Sequence, residues 1–459
     1  MADLPVEGPF TFEGTVVRGD RVELRYRIGP TGGPRPTWTF TEVVTLPAPL
    51  PAGPAADAAV RALHLAAGVS YYKCVAPVPL VVPPLSAAER ALVEGLYDSG
   101  LREFAYRNGL AVPMPVDIVE DGAVGVAHRE VVAADGSAGS LAGALVPIGG
   151  GKDSALVAAL VPTGELFAVN PTGAQDHLAD VLGRPLAVAR RGLDPGLREL
   201  VAAGVPNGHV PVTAITSAIA VLAALALGRA DVLMGIERSA DEPSLVTADG
   251  VEVNHQWSKS SEGERLLSAV FEPTGVRYLS LLRPMTELAI GAAVAARGLA
   301  ADIVSCNEVY RVWNPTTATE EQAPCGRCAK CLFTALMVAP ASGPAEVAAR
   351  YGGALLDRTD HVEAVRALWS DEKPFDCVGE RLETAAAVAL LAEREEWGDQ
   401  VVVAALADEA RALLAAAGVG PGDLLRFEGV DALPSDLRST VAGLEAEVRR
   451  AVPAVRATR

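Results

Sequence analysis

The amino-acid sequence predicts an α/β protein with a parallel sheet at its centre, an α+β domain before it and a helical region after it. Three features carry that expectation. From Leu141 onward, apolar β-branched segments alternate with helix-forming ones. Three glycines, Gly149 to Gly151, separate the first strand of that series from its first helix. Beyond about Pro344 the chain turns to alanine-rich helical stretches.

Taken in order, the first segment reads as a hairpin. TFEGTVVRGDRVELRYRIG turns at Gly19-Asp20, and Val22, Leu24, Tyr26 and Ile28 then alternate with Arg21, Glu23, Arg25 and Arg27. One face is therefore apolar and the other charged. A strand in TWTFTEVVTLP and helices around 56–67 and 87–108 complete a domain over 1–125, and GVAHREVVAADGSAGS has the composition of a linker. A second domain, 141–343, should hold strands in ALVPI, ELFAVNP, PLAVARR, HVPVT, ADVLMGIE and RYLSLL, with a helix from about Thr213 to Leu227. Such alternation implies βαβ units. Helices should fill 344–459.

Composition narrows the function classes. The chain has 459 residues, 50% hydrophobic and 21% charged, which suits a globular protein of two or three domains. With 39 basic and 57 acidic residues its net charge is −18, so no broad basic surface for nucleic acid is expected. The opening MADLPVEGPF lacks a cationic stretch followed by an apolar one. The longest apolar run, AITSAIAVLAALALG, is about 15 residues against the roughly 20 a bilayer requires. These features predict a cytoplasmic protein without membrane or nucleic-acid partners.

The stretch LVPIGGGKDSALVAALV aims a helix N-terminus at a turn whose glycines let backbone N–H groups converge, a preparation for an anion such as a phosphate chain. It is not a Walker A loop, because Asp153 follows Lys152, and it lacks G-x-G-x-x-G. GGGKDS resembles the S-G-G-x-D-S loop of the PP-loop ATP pyrophosphatases, with Gly149 where the first serine usually stands. That resemblance implies an adenine nucleotide alpha hydrolase-like sheet and cleavage of ATP to AMP and pyrophosphate. Gly149, Gly150, Gly151 and Ser154 would then hold the pyrophosphate end, Lys152 would supply positive charge, and Asp153 would help place magnesium. Gly235 and Glu237 follow the strand in ADVLMGIE and would form a second wall, since ligands of open parallel sheets bind beyond the carboxyl ends of the strands.

Four of the six cysteines fall close together. Cys325, Cys328 and Cys331 form C-x2-C-x2-C, and Cys306 lies upstream. Four thiolates suit a closed, structural zinc site; reduced structural cysteines and an iron–sulfur cluster are the alternatives. LSLLRPMTELAIG and the cysteine arrangement are similar to segments of 7-cyano-7-deazaguanine synthases, which are shorter and begin almost at the ATP loop.

AGVSYYKCVAP, EFAYRNGL, PIGGGKDS, EVNHQWSKS and FDCVGE together resemble the UDP-N-acetylmuramoyl-L-alanyl-L-glutamate epimerase family of the MurL type, over most of the chain. The resemblance implies inversion of the terminal L-glutamate of UDP-MurNAc-L-Ala-L-Glu, with ATP and magnesium, in peptidoglycan synthesis. The chemistry is coherent. A proton on the α-carbon beside an ionised carboxylate is hardly acidic, and an acyl-adenylate removes that charge. Cys74 and Cys377, the cysteines outside the cluster, could act as opposed thiol acid and base, or be buried small hydrophobes. His255 and Lys259 would share a face if their stretch is helical and could serve as base or anion ligand. Tyr106, Arg107 and Asn108 could receive diphosphate or peptide carboxylates, or simply end a helix. The alternatives are an amide- or nitrile-forming ligase of the deazaguanine type and a non-catalytic nucleotide-binding module.

Overall fold

The computed structural model describes residues 8–29, 37–129, 140–309 and 324–452. Thirteen strands are found among them: β1 (Phe10–Arg18), β2 (Arg21–Ile28), β3 (Trp38–Thr45), β4 (Leu80–Val82), β5 (Ile118–Glu120), β6 (Val126–Arg129), β7 (Ala144–Pro147), β8 (Glu165–Val169), β9 (Leu186–Gly192), β10 (Asp231–Met234), β11 (Leu245–Val246), β12 (Glu252–Val253) and β13 (Arg277–Ser280). β1 and β2 pair in the register that leaves only Gly19 and Asp20 in the turn, and Val22, Leu24, Tyr26 and Ile28 are buried as their alternation predicts.

One sheet of eleven strands forms the backbone of the molecule, in the order β13-β10-β7-β8-β9-β3-β2-β1-β4-β5, with β6 beside β1. β13, β10, β7, β8 and β9 are parallel. Chain order runs outward from β7 in both directions, through β8 and β9 on one side and through β10 and β13 on the other. That reversal is a topological switch point, and it opens a crevice beyond the carboxyl ends of β7 and β10. β9 then pairs antiparallel with β3, joining the parallel strands to the N-terminal hairpin. The Arg191 guanidinium grips the buried Glu42 carboxylate at this seam through two bonds of 2.7 and 3.0 Å.

Two hydrophobic cores lie on opposite faces of the sheet. Because side chains alternate, Leu145, Phe167 and Val232 enter one core with the helices Pro54–Ala67 and Val212–Leu227. Val146, Leu166 and Leu233 enter the other with the helices Lys152–Leu160, Glu287–Ala296, Ala329–Val338, Arg381–Ala392 and Val401–Ala417. Burial on both faces explains why the central strands read as continuous apolar runs. The second core draws on residues before and after Pro344 alike.

Three local expectations are corrected. HVPVT forms no strand: Pro206 and Pro211 lack N–H donors, and the segment runs as a loop into the helix that starts at Val212. The stretch expected as one helix over 87–108 is divided into Ala87–Tyr97, Ser99–Leu101 and Arg102–Arg107. Most of the expected linker lies outside the described residues, but its beginning is β6, parallel to β1. Among the described residues no helix is long and apolar enough to cross a membrane.

Candidate active site

A cavity of about 640 Å³ opens at the switch point. β7 delivers Gly149 and Gly151 to its floor, and the helix that begins at Lys152 adds Lys152, Asp153 and Ser154. Beyond β10, Gly235 and Ile236 form the adjoining wall. The expected loop and second wall are thus neighbours. Gly150 adopts φ 81°, a left-handed conformation glycine takes without steric cost, and its carbonyl accepts a 2.7 Å bond from the Val304 N–H. The Ser154 hydroxyl accepts from the Gly149 N–H at 3.0 Å and donates to the Gly151 carbonyl at 3.2 Å, so it braces the loop from within.

Next to the loop lie three carboxylates. Asp153, Glu237 and Glu287 each bring one oxygen within 4.8 Å of the others. Glu237 is 1% exposed, and among the described residues its Oε1 has no hydrogen-bond partner. Burial and the neighbouring Asp153 charge raise its pKa, as expected where a positive ion belongs. Such an oxygen set suits a hard divalent cation. Lys152 lines the cavity and belongs to the same cluster. Its side chain turns inward, 3% exposed, and its ammonium bonds to Asp153 at 2.5 Å and to Glu287. A side chain at the first position of a helix leans toward the helix N-terminus, so Lys152 stays at the loop end of its helix, where the two acids lie. Glu287 itself is fixed by its helix, which lies so close to Ala329–Val338 that only Gly291 fits at the crossing.

Across the cavity is Cys377, accompanied by His255, Lys259, Lys330 and Asp376. Burial opposes ionisation of the Cys377 thiol, but the Lys259 and Lys330 ammonium groups and a hydrogen bond from His255 overcome it and hold the pKa well below its usual value. His255 is the reciprocal case: burial works against its charge, yet Cys377 and Glu103 raise its pKa to about 10. Lys259 is raised too, against its burial, by Cys377, Glu237 and Asp153. His209 stacks on His255 with ring centroids 4.2 Å apart, and burial and that neighbouring charge lower it to about 4. The result is a thiol whose ionised form is favoured, beside an imidazole and an amine whose charged forms are favoured. His255 and Lys259 are not on a helix face as expected; a turn at Asn254 and the short 3-10 helix Trp257–Lys259 bring them together.

The remaining candidates fall elsewhere. Cys74 does not line the cavity: it is 1% exposed within the N-terminal core, and burial pushes its thiol up to about 11. An opposed pair of thiols is therefore not what the fold assembles. Tyr106, Arg107 and Asn108 end the helix Arg102–Arg107 without lining the cavity. The Tyr106 and Arg107 side chains instead lie 5.9 Å from the Phe375 ring, two residues before Cys377, and the Asn108 amide donates to the carbonyls of Phe104 and Asn207. Cys306, Cys325, Cys328 and Cys331 are free thiols whose sulfurs lie within 4.8 Å of one another, a donor set that fits zinc.

Residues 9–281 match the MurL N-terminal domain and residues 302–418 the MurL C-terminal domain. The chain belongs to the MurL epimerase family. A UDP-N-acetyl-alpha-D-muramoyl-L-alanyl-L-glutamate epimerase from Micromonospora sp. is 41% identical over 398 residues, covering 83% of this chain and 85% of that protein. The epimerase of the same name from Salinispora tropica is 40% identical over 398 residues, 83% of each chain, and that from Xanthomonas oryzae pv. oryzae 38% over 361 residues, 76% of this chain and 78% of the other. No solved structure matches.

Several residues in or just behind the cavity do not stand out in the sequence: Glu287, His209 and Asp376 line it, and Glu103 lies behind His255. Glu287 stands one residue after the Thr286 cap of its helix, within a stretch noticed only for its resemblance to another enzyme's helix start. Glu103 and Asp376 lie inside EFAYRNGL and FDCVGE, and His209 opens HVPVT, which runs as a loop. Charge or imidazole at a predicted turn was the available signal, but each of these residues becomes distinctive only through its neighbours.

Proposed function

We propose that this epimerase inverts the terminal L-glutamate of UDP-MurNAc-L-Ala-L-Glu to D-glutamate in peptidoglycan synthesis, in the cytoplasm, after ATP-dependent adenylation of the α-carboxylate in a PP-loop type site. The observation that carries the reading is the cavity itself. It sets a glycine loop at a helix N-terminus, with Asp153 and Glu287, against a cysteine whose ionisation Lys259 and Lys330 favour.

The carboxylate oxygen attacks the α-phosphorus of ATP and pyrophosphate leaves. Gly151 and the first turn of the following helix present N–H groups to the departing phosphates, on a loop that the Gly149–Ser154 bond braces. Asp153, Glu237 and Glu287 would hold magnesium, which supplies charge neutralisation of the phosphates when bound. Lys152 is the counter-charge that lets Asp153 and Glu287 lie so close in a buried setting. With the carboxylate esterified, the α-proton passes to the Cys377 thiolate and its electrons move into the carbonyl, where Lys259 can stabilise the developing charge. A proton returns to the opposite face of the planar centre, and hydrolysis of the adenylate makes the cycle irreversible. The four clustered cysteines hold zinc in a structural role.

The test is to incubate the protein with ATP, magnesium and UDP-MurNAc-L-Ala-L-Glu in deuterated water. Pyrophosphate release and D-glutamate deuterated at the α-carbon, both requiring ATP and magnesium together, are expected. Deuterium uptake without ATP would overturn the activation step. Pyrophosphate release with a deazaguanine acid and ammonia, but not with the dipeptide, would overturn the substrate.

A further inference from the structure

The group that positions the thiolate comes from the N-terminal part of the chain, more than 150 residues before its partners. Glu103 is 2% exposed, on the short helix Arg102–Arg107, and its Oε2 lies 2.5 Å from His255 Nδ1. His255 and Cys377 line the same cavity, and Cys377 favours the charged ring; with Nδ1 taken by Glu103, Nε2 is the nitrogen left to face the sulfur. We propose that Glu103, His255 and Cys377 form a relay in which Glu103 is the positioning residue: it fixes the ring so that the second N–H donates to the Cys377 sulfur and keeps it a thiolate. The proposal rests on Cys377 as the base, but its central claim concerns the resting protein.

The surroundings fit this division of labour. Cys377 faces Lys259, Lys330, His255 and Asp376; His255 faces Cys377, Glu103 and His209. His209 is kept neutral, so it stacks on the imidazolium without repelling it. Among the described residues the other side-chain contact of Glu103 is a long one, 3.4 Å from Arg107 Nη1, which leaves its charge available to His255. Tyr106 and Arg107, from the same short helix, pack on Phe375 and so hold the Cys377 segment against the relay. A buried carboxylate that orients an imidazole, which in turn supports a thiolate, follows the general logic of an activated sulfur nucleophile or base. The N-terminal segment thereby contributes to the ionisation of a group on the far side of the cavity.

The experiment measures alkylation of Cys377 by iodoacetamide across a pH series on the full-length protein without substrate, with the modified peptide identified by mass spectrometry. In Glu103→Gln, which keeps the shape and removes the charge, the imidazolium is less favoured and the pH of half-maximal alkylation should rise by about one unit or more, lowering the rate about tenfold below it. His255→Gln should produce a comparable rise, and the double variant should add little to either, because both act through one path. Glu103→Asp should recover part of the shift. In the epimerase assay the acidic limb of the kcat profile should move with the alkylation curve while KM for the dipeptide stays the same. An unchanged alkylation curve in a folded Glu103→Gln protein overturns the relay, and so do fully additive shifts in the double variant. A shifted alkylation curve with an unshifted kcat profile upholds the relay and instead overturns Cys377 as the base.

Discussion

Replacing Gly235 by alanine tests whether β10 and the glycine loop form one rigid wall. A Cβ built on Gly235 would stand 2.9 Å from both the carbonyl carbon and the oxygen of Asp153, and 3.1 Å from the Ser154 nitrogen. Carbon atoms pack best at about 3.5–4.0 Å, so something must retreat by roughly 0.6 Å or more. Every neighbour on that list is backbone, belonging to the first turn of the Lys152–Leu160 helix, and no side chain can swing away. Overpacking of this kind costs about 1–3 kcal/mol. At about 2.1 cal/mol/K of unfolding entropy per residue, a chain of this length should lose only about 1–3 °C in Tm. Catalysis should suffer far more, because the retreat displaces Asp153 and the loop N–H groups together, and misplacement near 1 Å costs on the order of 100-fold. Calorimetry and pyrophosphate release on the same sample check both figures. Gly149→Ala is the control: no heavy atom lies within 4 Å of its added Cβ, so that variant should unfold at the parent temperature. Pyrophosphate release from Gly235→Ala within twofold of the parent, or equal Tm losses in the two variants, would refute the reasoning.

Three further outcomes follow from the same structure. Asp153→Asn should suppress pyrophosphate release and deuterium uptake together, whereas Cys377→Ser should retain most pyrophosphate release and lose about 100-fold or more in inversion, since a general base contributes about 10²–10⁴; equal losses in Cys377→Ser would remove its role as a base. Cys328→Ser should abolish one bound zinc per chain, read by native mass spectrometry, and the parent protein should carry that ion. Burial lowers His64 from 6.5 to about 4, so below pH 6.5 the unfolded chain takes up a proton that the folded chain refuses. Stability should therefore fall as pH drops from about 6.5 to about 4, by up to about 3 kcal/mol from this group. Urea titrations of the parent and of His64→Gln should show the variant with the shallower slope over that window, and identical slopes would count against it.

Much of the fold was legible in the sequence because it rests on short-range pattern. The Gly19-Asp20 turn, the alternating face of β2, the apolar strands β7 to β10 and the helix beginning at Lys152 all follow from spacing within a dozen residues. The exceptions are equally local: prolines denied a strand to HVPVT, and the expected long helix after Ala87 breaks at Asp98. The glycine loop was legible in the same way: Gly149 to Gly151 do lie between β7 and the helix that begins at Lys152.

The sequence by itself determined most of the strands and helices, the glycine loop, the cysteine cluster and the family, because these are written in periodicity, spacing and contiguous phrases. Only the tertiary structure decided which charges meet. It turned Lys152 onto Glu287 and Asp153, withdrew Cys74 into a core, and brought Glu103, His255 and Cys377 together from three distant segments. The physical reason is that ionisation depends on neighbours within a few ångströms in a poorly hydrated cavity, and those neighbours come from separate segments that only the folded chain gathers at the crevice beyond the parallel neighbours β7 and β10.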